Sequence, residues 1–362
     1  MIKAIKAVAL GLSLLLATVS VSYAQDLQKS VEATNFVDTG NTSVVSETLM
    51  PTSPRDVRVG TYIIELNSLD LKTMSFRIRF WIWFRWNEDD AKFIRDPLET
   101  FDIVSGRIES KTNVFREKFS DGTIYAVARV DAEIHQPLDP FRFPLDSHTL
   151  ALKIQPESDA SYVRYVPDLA NSKIDKAVFL PGWVVKDKFG SVSSVEFSTS
   201  YGYEATQKNI VGHSEYSEFK YLIGVSRPIL RVFFKTFWAT FLSVMLAFLM
   251  FAIPQNKEEL QFHLGVGSIF AATANYYIIS SSSSSIGTLT LADAISFLSV
   301  FTIFVSISTV VFCLAYQHKP HGSLIESEIE HRYLKFMKMA YRLIGISYLI
   351  GLVFCLYIYL WL

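Results

Sequence analysis

Five residues in the C-terminal half, Gln261, Gly265, Ser268, Ala272 and Asn275, follow one another at steps of three and four. On a helix those steps put all five on one face. Two amides and a hydroxyl in one stripe can bond to water or to a polar solute. Against lipid each would need an internal partner; against a water-filled lumen none is needed. Glu258 and Glu259 come just before the stripe. Repeated around an axis, such carboxylates concentrate cations and repel anions. At a helix N-terminus the same charges also suit the backbone dipole, and Lys257 offsets part of their field. The expectation is a pore lined by Glu258, Glu259, Gln261, Gly265, Ser268, Ala272 and Asn275, with cations preferred. The competing reading is helix–helix glue, because small and weakly polar residues also join membrane helices. Gly265 and Gly267 fit that reading well.

The stripe lies in one of four apolar segments, about 230–253, 260–279, 291–316 and 339–362. Each is near the ~20 residues a helix needs to cross hydrocarbon. One helix cannot enclose a lumen, so pore lining implies several copies around an axis, a closed homo-oligomer. A bilayer is then the first partner.

Residues 1–24 read as a secretory signal. Lys3 and Lys6 form its basic start, 7–19 its apolar run, and Ser22-Tyr23-Ala24 a small-x-small cleavage site. The alternative is an uncleaved first membrane helix. Export would put the N-terminal half outside the cytoplasm, and four crossings would return the C-terminus there. The links 255–259 and 317–338 would then be cytoplasmic. The second holds Lys319, Arg332, Lys335 and Lys338, as the positive-inside tendency asks, although Glu326, Glu328 and Glu330 dilute it. Cys313 and Cys355 both fall within apolar spans, so the exported half has no disulfide to hold it.

Residues 25–55 read as a flexible polar leader, and 56–228 as a run of short strands. In 74–86, Phe76, Ile78, Phe80, Ile82 and Phe84 alternate with Arg77, Arg79, Trp81, Trp83 and Arg85. That period of two gives a strand with one face in a core. Further strand runs are expected at 62–66, 122–134, 148–155, 183–188, 192–203 and 216–226, separated by turn signals such as Pro181-Gly182. Many short strands without a helical period between them argue for an all-β, immunoglobulin-like antiparallel sandwich, followed by a four-helix transmembrane bundle over 229–362. Residues 280–285 form a serine run, read as a connector.

The chain has 362 residues, of which 50% are hydrophobic and 14% aromatic, with a net charge of −1. That length allows about two domains. The charge balance gives no general attraction to nucleic acid, and there is no basic tract, zinc spacing or phosphate-cradling glycine loop. No metal, cofactor or nucleic-acid partner is expected.

With these residues in view, the sequence from Val57 to Leu362 resembles the bacterial pentameric ligand-gated ion channels of the Cys-loop receptor superfamily. Val59-Gly60-Thr61-Tyr62-Ile63, with the strand that ends Trp83-Phe84-Arg85-Trp86-Asn87, is similar to the family's first two strands. Phe141-Arg142-Phe143-Pro144-Leu145-Asp146 is similar to its Phe-Pro-Phe-Asp signature. Arg227-Pro228 stands where the sandwich would meet the first span. Leu145 replaces the signature's last aromatic, flanking cysteines are missing, and the first span lacks a central proline. A register shifted by one would line the pore with Phe262, Ile269 and Tyr276 and restore an apolar gate.

The resemblance implies a homopentamer with a periplasmic sandwich in the bacterial inner membrane. A small-molecule agonist or protons would act between adjacent sandwiches. It implies coupling through the turn at Asp70, through Phe143, Pro144 and Asp146, and through the connector after the second span. Asp146 and Arg227 are the expected charge pair, able to bond bidentately. The implied agonist site draws on Phe101, Tyr162, Tyr165, Tyr201 and Tyr203, the last two near His213, with Arg79 and Trp81 from the neighbouring subunit. Tyrosines there suit an ammonium ligand; Arg79 suits a carboxylate. The same aromatics also serve as ordinary sandwich filling. Two other readings stay open. One is a non-conducting, membrane-anchored sensor or adhesion module. The other is an enzyme using Asp146 and His148, for which a nucleophile elbow and a metal motif are lacking.

Overall fold

Alternation builds the first layer. Strand β2, Ser75–Asn87, buries Phe76, Ile78, Phe80, Ile82, Phe84 and Trp86 and turns the intervening residues outward. It lies between β1, Arg55–Asp70, and β5, Thr123–His135, both antiparallel to it. These coordinates are a computed structural model in which residues 54–92, 94–199, 214–254, 257–282, 288–317 and 326–361 are described. The signal segment, nearly all of the leader, Tyr201, Tyr203, His213, residues 283–287 and the link 318–325 lie outside the described residues.

The first sheet has the order β4-β5-β2-β1-β7, with β8 also on β1. Here β4 is Gly106–Lys118, β7 is Val163–Pro167 and β8 is Lys173–Ile174. The pairings of β7 and β8 with β1 are parallel, a departure from the antiparallel expectation. The second sheet runs β3-β6-β10-β9. Its strands are Asp102–Ile103, Ser147–Gln155, Ser214–Ser226 and Val184–Phe197 in that order. Both sheets contribute to a sandwich-like core: Leu150, Leu152 and Ile154 of β6 and Phe219, Tyr221, Ile223 and Val225 of β10 are buried. Removing such side chains from water is the main favourable contribution to holding a domain that has no cysteine.

Expected strand 183–188 and the first part of expected strand 192–203 run as one continuous β9, Val184–Phe197, whose ladder with β10 carries a register shift between Tyr221 and Ile223. The β4 strand was not expected. Its residues are mostly polar and exposed, so no alternation marks it; pairing along β5 holds it in the sheet. The short helix α1, Pro97–Thr100, is capped by Asp96, whose Oδ1 accepts from Leu98 N at 2.8 Å.

The C-terminal unit is helical. Its elements are α2, Ile229–Leu249, continued by a 3-10 turn at Met250–Ala252; α3, Glu258–Ser282; α4, Leu291–Gln317; and α5, Glu326–Trp361. Among the described residues, three stretches are long and apolar enough to cross a membrane: Ile229–Ala252, Leu291–Ala315 and His331–Leu360. With its glutamates, Gln261, His263 and serines, α3 is not one of them. Thr290 and Asp293 cap α4 reciprocally: Asp293 N donates to Thr290 Oγ1 at 3.2 Å and Thr290 N to Asp293 Oδ2 at 3.0 Å. Ser299 and Tyr348 join α4 to α5 at 3.0 Å. Gly265 lets α3 approach Ile307 of α4 and Met250 closely enough that a Cβ would be crowded.

Candidate functional site

Three strand ends converge on one carboxylate. The β6–β10 ladder closes with the pair Ser147–Ser226, so the next residues, Asp146 and Arg227, fall opposite one another. Their backbones stay in touch, Arg227 N donating to Asp146 O at 3.3 Å. Strand β9 starts with Val184 opposite Ser226, which brings Trp183 alongside Arg227. His148 lies two residues beyond Asp146 and shares its face of the strand.

Arg227 Nε donates to Asp146 Oδ1 at 2.8 Å, and His148 Nε2 meets Asp146 Oδ2 at 2.6 Å. The guanidinium lies 4.3 Å from the Trp183 ring centroid and 5.4 Å from that of Phe143. The Trp183 ring in turn lies 5.6 Å from His148. The Asp146 side chain is 1% exposed and that of Arg227 20%. The carboxylate is thus desolvated but met at both oxygens, the condition under which burying a charge is tolerable. The expected bidentate fork does not form. Arg227 uses one bond because His148 occupies the second oxygen. Phe143 and Leu145 are buried, and the Phe143–Pro144 peptide bond is cis. Asp70 accepts from Lys72 N at 2.7 Å, closing the β1–β2 turn.

The aromatic residues proposed for ligand face two ways. Phe101 and Tyr165 both turn into the core against Phe84, at centroid distances of 5.6 and 5.8 Å. They fill the sandwich rather than form an open box. Tyr162 is exposed. The outer edge of Phe101 is covered by the chain's own cation: Lys111 Nζ sits 4.8 Å from the ring centroid and donates to Leu98 O at 2.6 Å. Burial holds the Lys111 amine below the ordinary lysine range. Among the described residues, Tyr165 Oη is buried without a hydrogen-bond partner, and burial pushes the phenol up. It lines a recess with Arg95, Pro97, Thr100, Glu157 and Ser158, with room for a water-sized centre over about 10 Å³. That is space for one water, too little for an amine or an amino acid within one chain.

Arg79 and Trp81 lie on the opposite face of β2 from Phe84. Arg79 is not free for a carboxylate ligand. Its Nε donates to Asp131 at 2.5 Å and its NH1 to Glu65 at 2.6 Å. The Asp131 bond is the main reason its proton is held more tightly than usual. Burial pushes the Asp131 carboxyl up, but bonds from Ser110 and Arg79 outweigh it and leave it below the usual carboxylate range.

The polar stripe of α3 points inward. Gln261, 1% exposed, donates through Nε2 to Met250 O at 3.2 Å and Ile253 O at 3.0 Å. Ser268 returns its hydroxyl to Gly265 O at 2.8 Å, Ala272 is buried, and Asn275 Nδ2 donates to Thr240 Oγ1 at 2.7 Å. The expectation that Gln261, Gly265, Ser268, Ala272 and Asn275 meet water is therefore corrected. Each amide finds a partner on α2 or its 3-10 extension, which is the glue reading. The alternative register does not hold as a row either: Phe262 is exposed, but Ile269 and Tyr276 are half-buried, Tyr276 lying 5.3 Å from Phe297 of α4. At 100° per residue the face opposite the buried stripe carries Glu259, His263, Gly267, Phe270, Ala274 and Tyr277. All six are exposed within the chain, Phe270 at 70% and Tyr277 at 76%. Glu258 is exposed at the start of the helix.

Sequence reasoning named Glu259 of this outer face but missed the rest of it, together with Trp183 and Lys111. A signal for the face was present: Glu259 and His263 four apart, then aromatics seven apart at 270 and 277.

No family model matches the chain. A curated protein from Gloeobacter violaceus described as a proton-gated ion channel is 26% identical over 208 residues, 52% of this chain and 57% of that relative. The match thus spans little more than half the relative's length. The chain is similar to a bacterial ligand-gated channel, in agreement with the resemblance carried by Phe141–Asp146 and Arg227-Pro228.

Proposed function

We propose that this chain is one subunit of a homopentameric, cation-preferring ligand-gated ion channel. It would sit in a bacterial inner membrane with its sandwich in the periplasm, opened by a small molecule or by protons. The observation that carries this reading is the outer face of α3. Large apolar rings at Phe270 and Tyr277 stand on a helix too polar to face lipid along its whole length, in register with Glu259 and His263. Repeated around an axis, Phe270 gives an apolar constriction of the kind that gates by dewetting, and Glu259 a carboxylate ring that concentrates cations at the cytoplasmic mouth. The inward stripe then holds each pore helix to its own subunit.

The strut from Asp146 to Arg227 supports coupling. Arg227 lies two residues before α2, so the chain leaving the sandwich is pinned to the Phe143–Asp146 loop. A ligand that binds one arrangement of that loop more tightly shifts the population toward it. The relative from Gloeobacter violaceus is described as a proton-gated ion channel, and protons are one agonist considered for this chain.

Electrical recording from purified protein in planar bilayers, across pH and a panel of small amines and carboxylates, tests the reading. An evoked current carried by cations and reduced by Glu259→Gln is expected. A protein that reconstitutes as an oligomer but passes no current under any condition favours a membrane-anchored sensor instead.

A further inference from the structure

We propose that Glu259 and His263 form a transition-metal site in the assembled pore, at which a divalent ion of the zinc or nickel class blocks conduction. The inference rests on the pore reading of α3. The two residues are one turn apart, with His263 Nε2 3.5 Å from Glu259 Oε1, and both side chains are largely open, at 67% and 91%. An imidazole nitrogen and a carboxylate oxygen at positions i and i+4 point the same way from a helix and can grip one ion together. Mixed nitrogen and oxygen donors suit zinc and nickel, whereas magnesium and calcium take oxygen alone.

Within one chain the site is incomplete. Among the described residues no group of three or more His, Cys, Asp and Glu side chains could hold a metal ion. Two ligands from each copy, repeated around an axis, supply the four donors such ions need. The next outward position, Gly267, has nothing within 4 Å of where a Cβ would stand among the described residues, and it adds no side chain of its own over the pair. A coordinated divalent ion there adds positive charge where permeating cations must pass.

The test uses tag-free, full-length protein in planar bilayers. Micromolar nickel chloride or zinc chloride is added to one side and then the other, with magnesium chloride as control. Nickel and zinc are expected to suppress the evoked current, and His263→Gln to raise the half-blocking concentration about tenfold or more. Undiminished current in either metal, or an equal block in His263→Gln, would overturn the site. Nickel titration of the detergent-purified oligomer by calorimetry reads the site without a current. Heat of binding lost in His263→Gln supports it, and equal binding by both proteins counts against it. Binding that depends on His263 in a protein that never conducts would leave the metal site standing and remove the pore reading.

Discussion

Asp146 and Arg227 face each other one step past the last rung of the β6–β10 ladder, joined at 2.8 Å between Nε and Oδ1. His148 takes the other carboxylate oxygen, so removing Arg227 leaves Asp146 buried with a single partner. Breaking a buried pair from one side costs about 3–5 kcal/mol, and the residual exposure of Arg227 puts Arg227→Met near about 3 kcal/mol. Thermal unfolding of the purified protein reads this. A double-mutant cycle with Asp146→Asn should show coupling above about 1 kcal/mol; strict additivity would show that the contact carries no energy.

Single cysteines on α3 distinguish its two faces. At 259, 263 and 270 a hydrophilic thiol reagent should react and change the current; at 268 and 272 it should not, because those positions are packed. Reaction at Ser268→Cys with none at Phe270→Cys would reverse the orientation proposed for the pore helix.

Arg79 and Asp131 make the sandwich sensitive to acid. The Asp131 carboxyl is held below its unfolded value in the folded chain. Its contribution is therefore complete above the unfolded carboxylate pKa of about 4 and disappears as pH falls through the lower folded value. Arg79→Met should lower stability to denaturant at neutral pH and flatten its dependence on pH below about 4. An unchanged acid slope would mean that other carboxylates govern it.

Lys111 has the opposite sign. Burial lowers its folded pKa, so its charge costs stability below that value, and the cost is relieved as pH rises toward the unfolded value of about 10.4. Lys111→Met keeps the stem over Phe101 and removes the charge. The variant should lose the rise in stability on the alkaline side. It should also lose the bond to Leu98 O, which loosens the end of α1. Chemical denaturation across pH 8 to 10 reads the first effect, and amide hydrogen exchange in α1 the second.

What the residues reveal in advance differs from element to element. The alternation of Phe76 to Phe84 is strong because one face is wholly buried, and the structure follows it rung by rung. The neighbouring β4 is silent because both of its faces are largely wet, so only its partner reveals it. Asp146 and Arg227 were legible through the Phe-Pro-x-Asp and Arg-Pro resemblance. Trp183 was not, since its place beside Arg227 depends on the β9–β10 register and not on local pattern. The stripe on α3 misleads for a physical reason. An amide inside a membrane bundle needs a backbone acceptor as much as an amide in a pore needs water, and spacing alone cannot separate the two.

Gln261 and Asn275 fasten α3 near both of its ends, to the 3-10 turn after α2 and to Thr240 within α2. Spinning α3 about its long axis would break both moorings, at about 1 kcal/mol each, whereas leaning α2 and α3 together would keep them, as a door and its frame swing on one hinge.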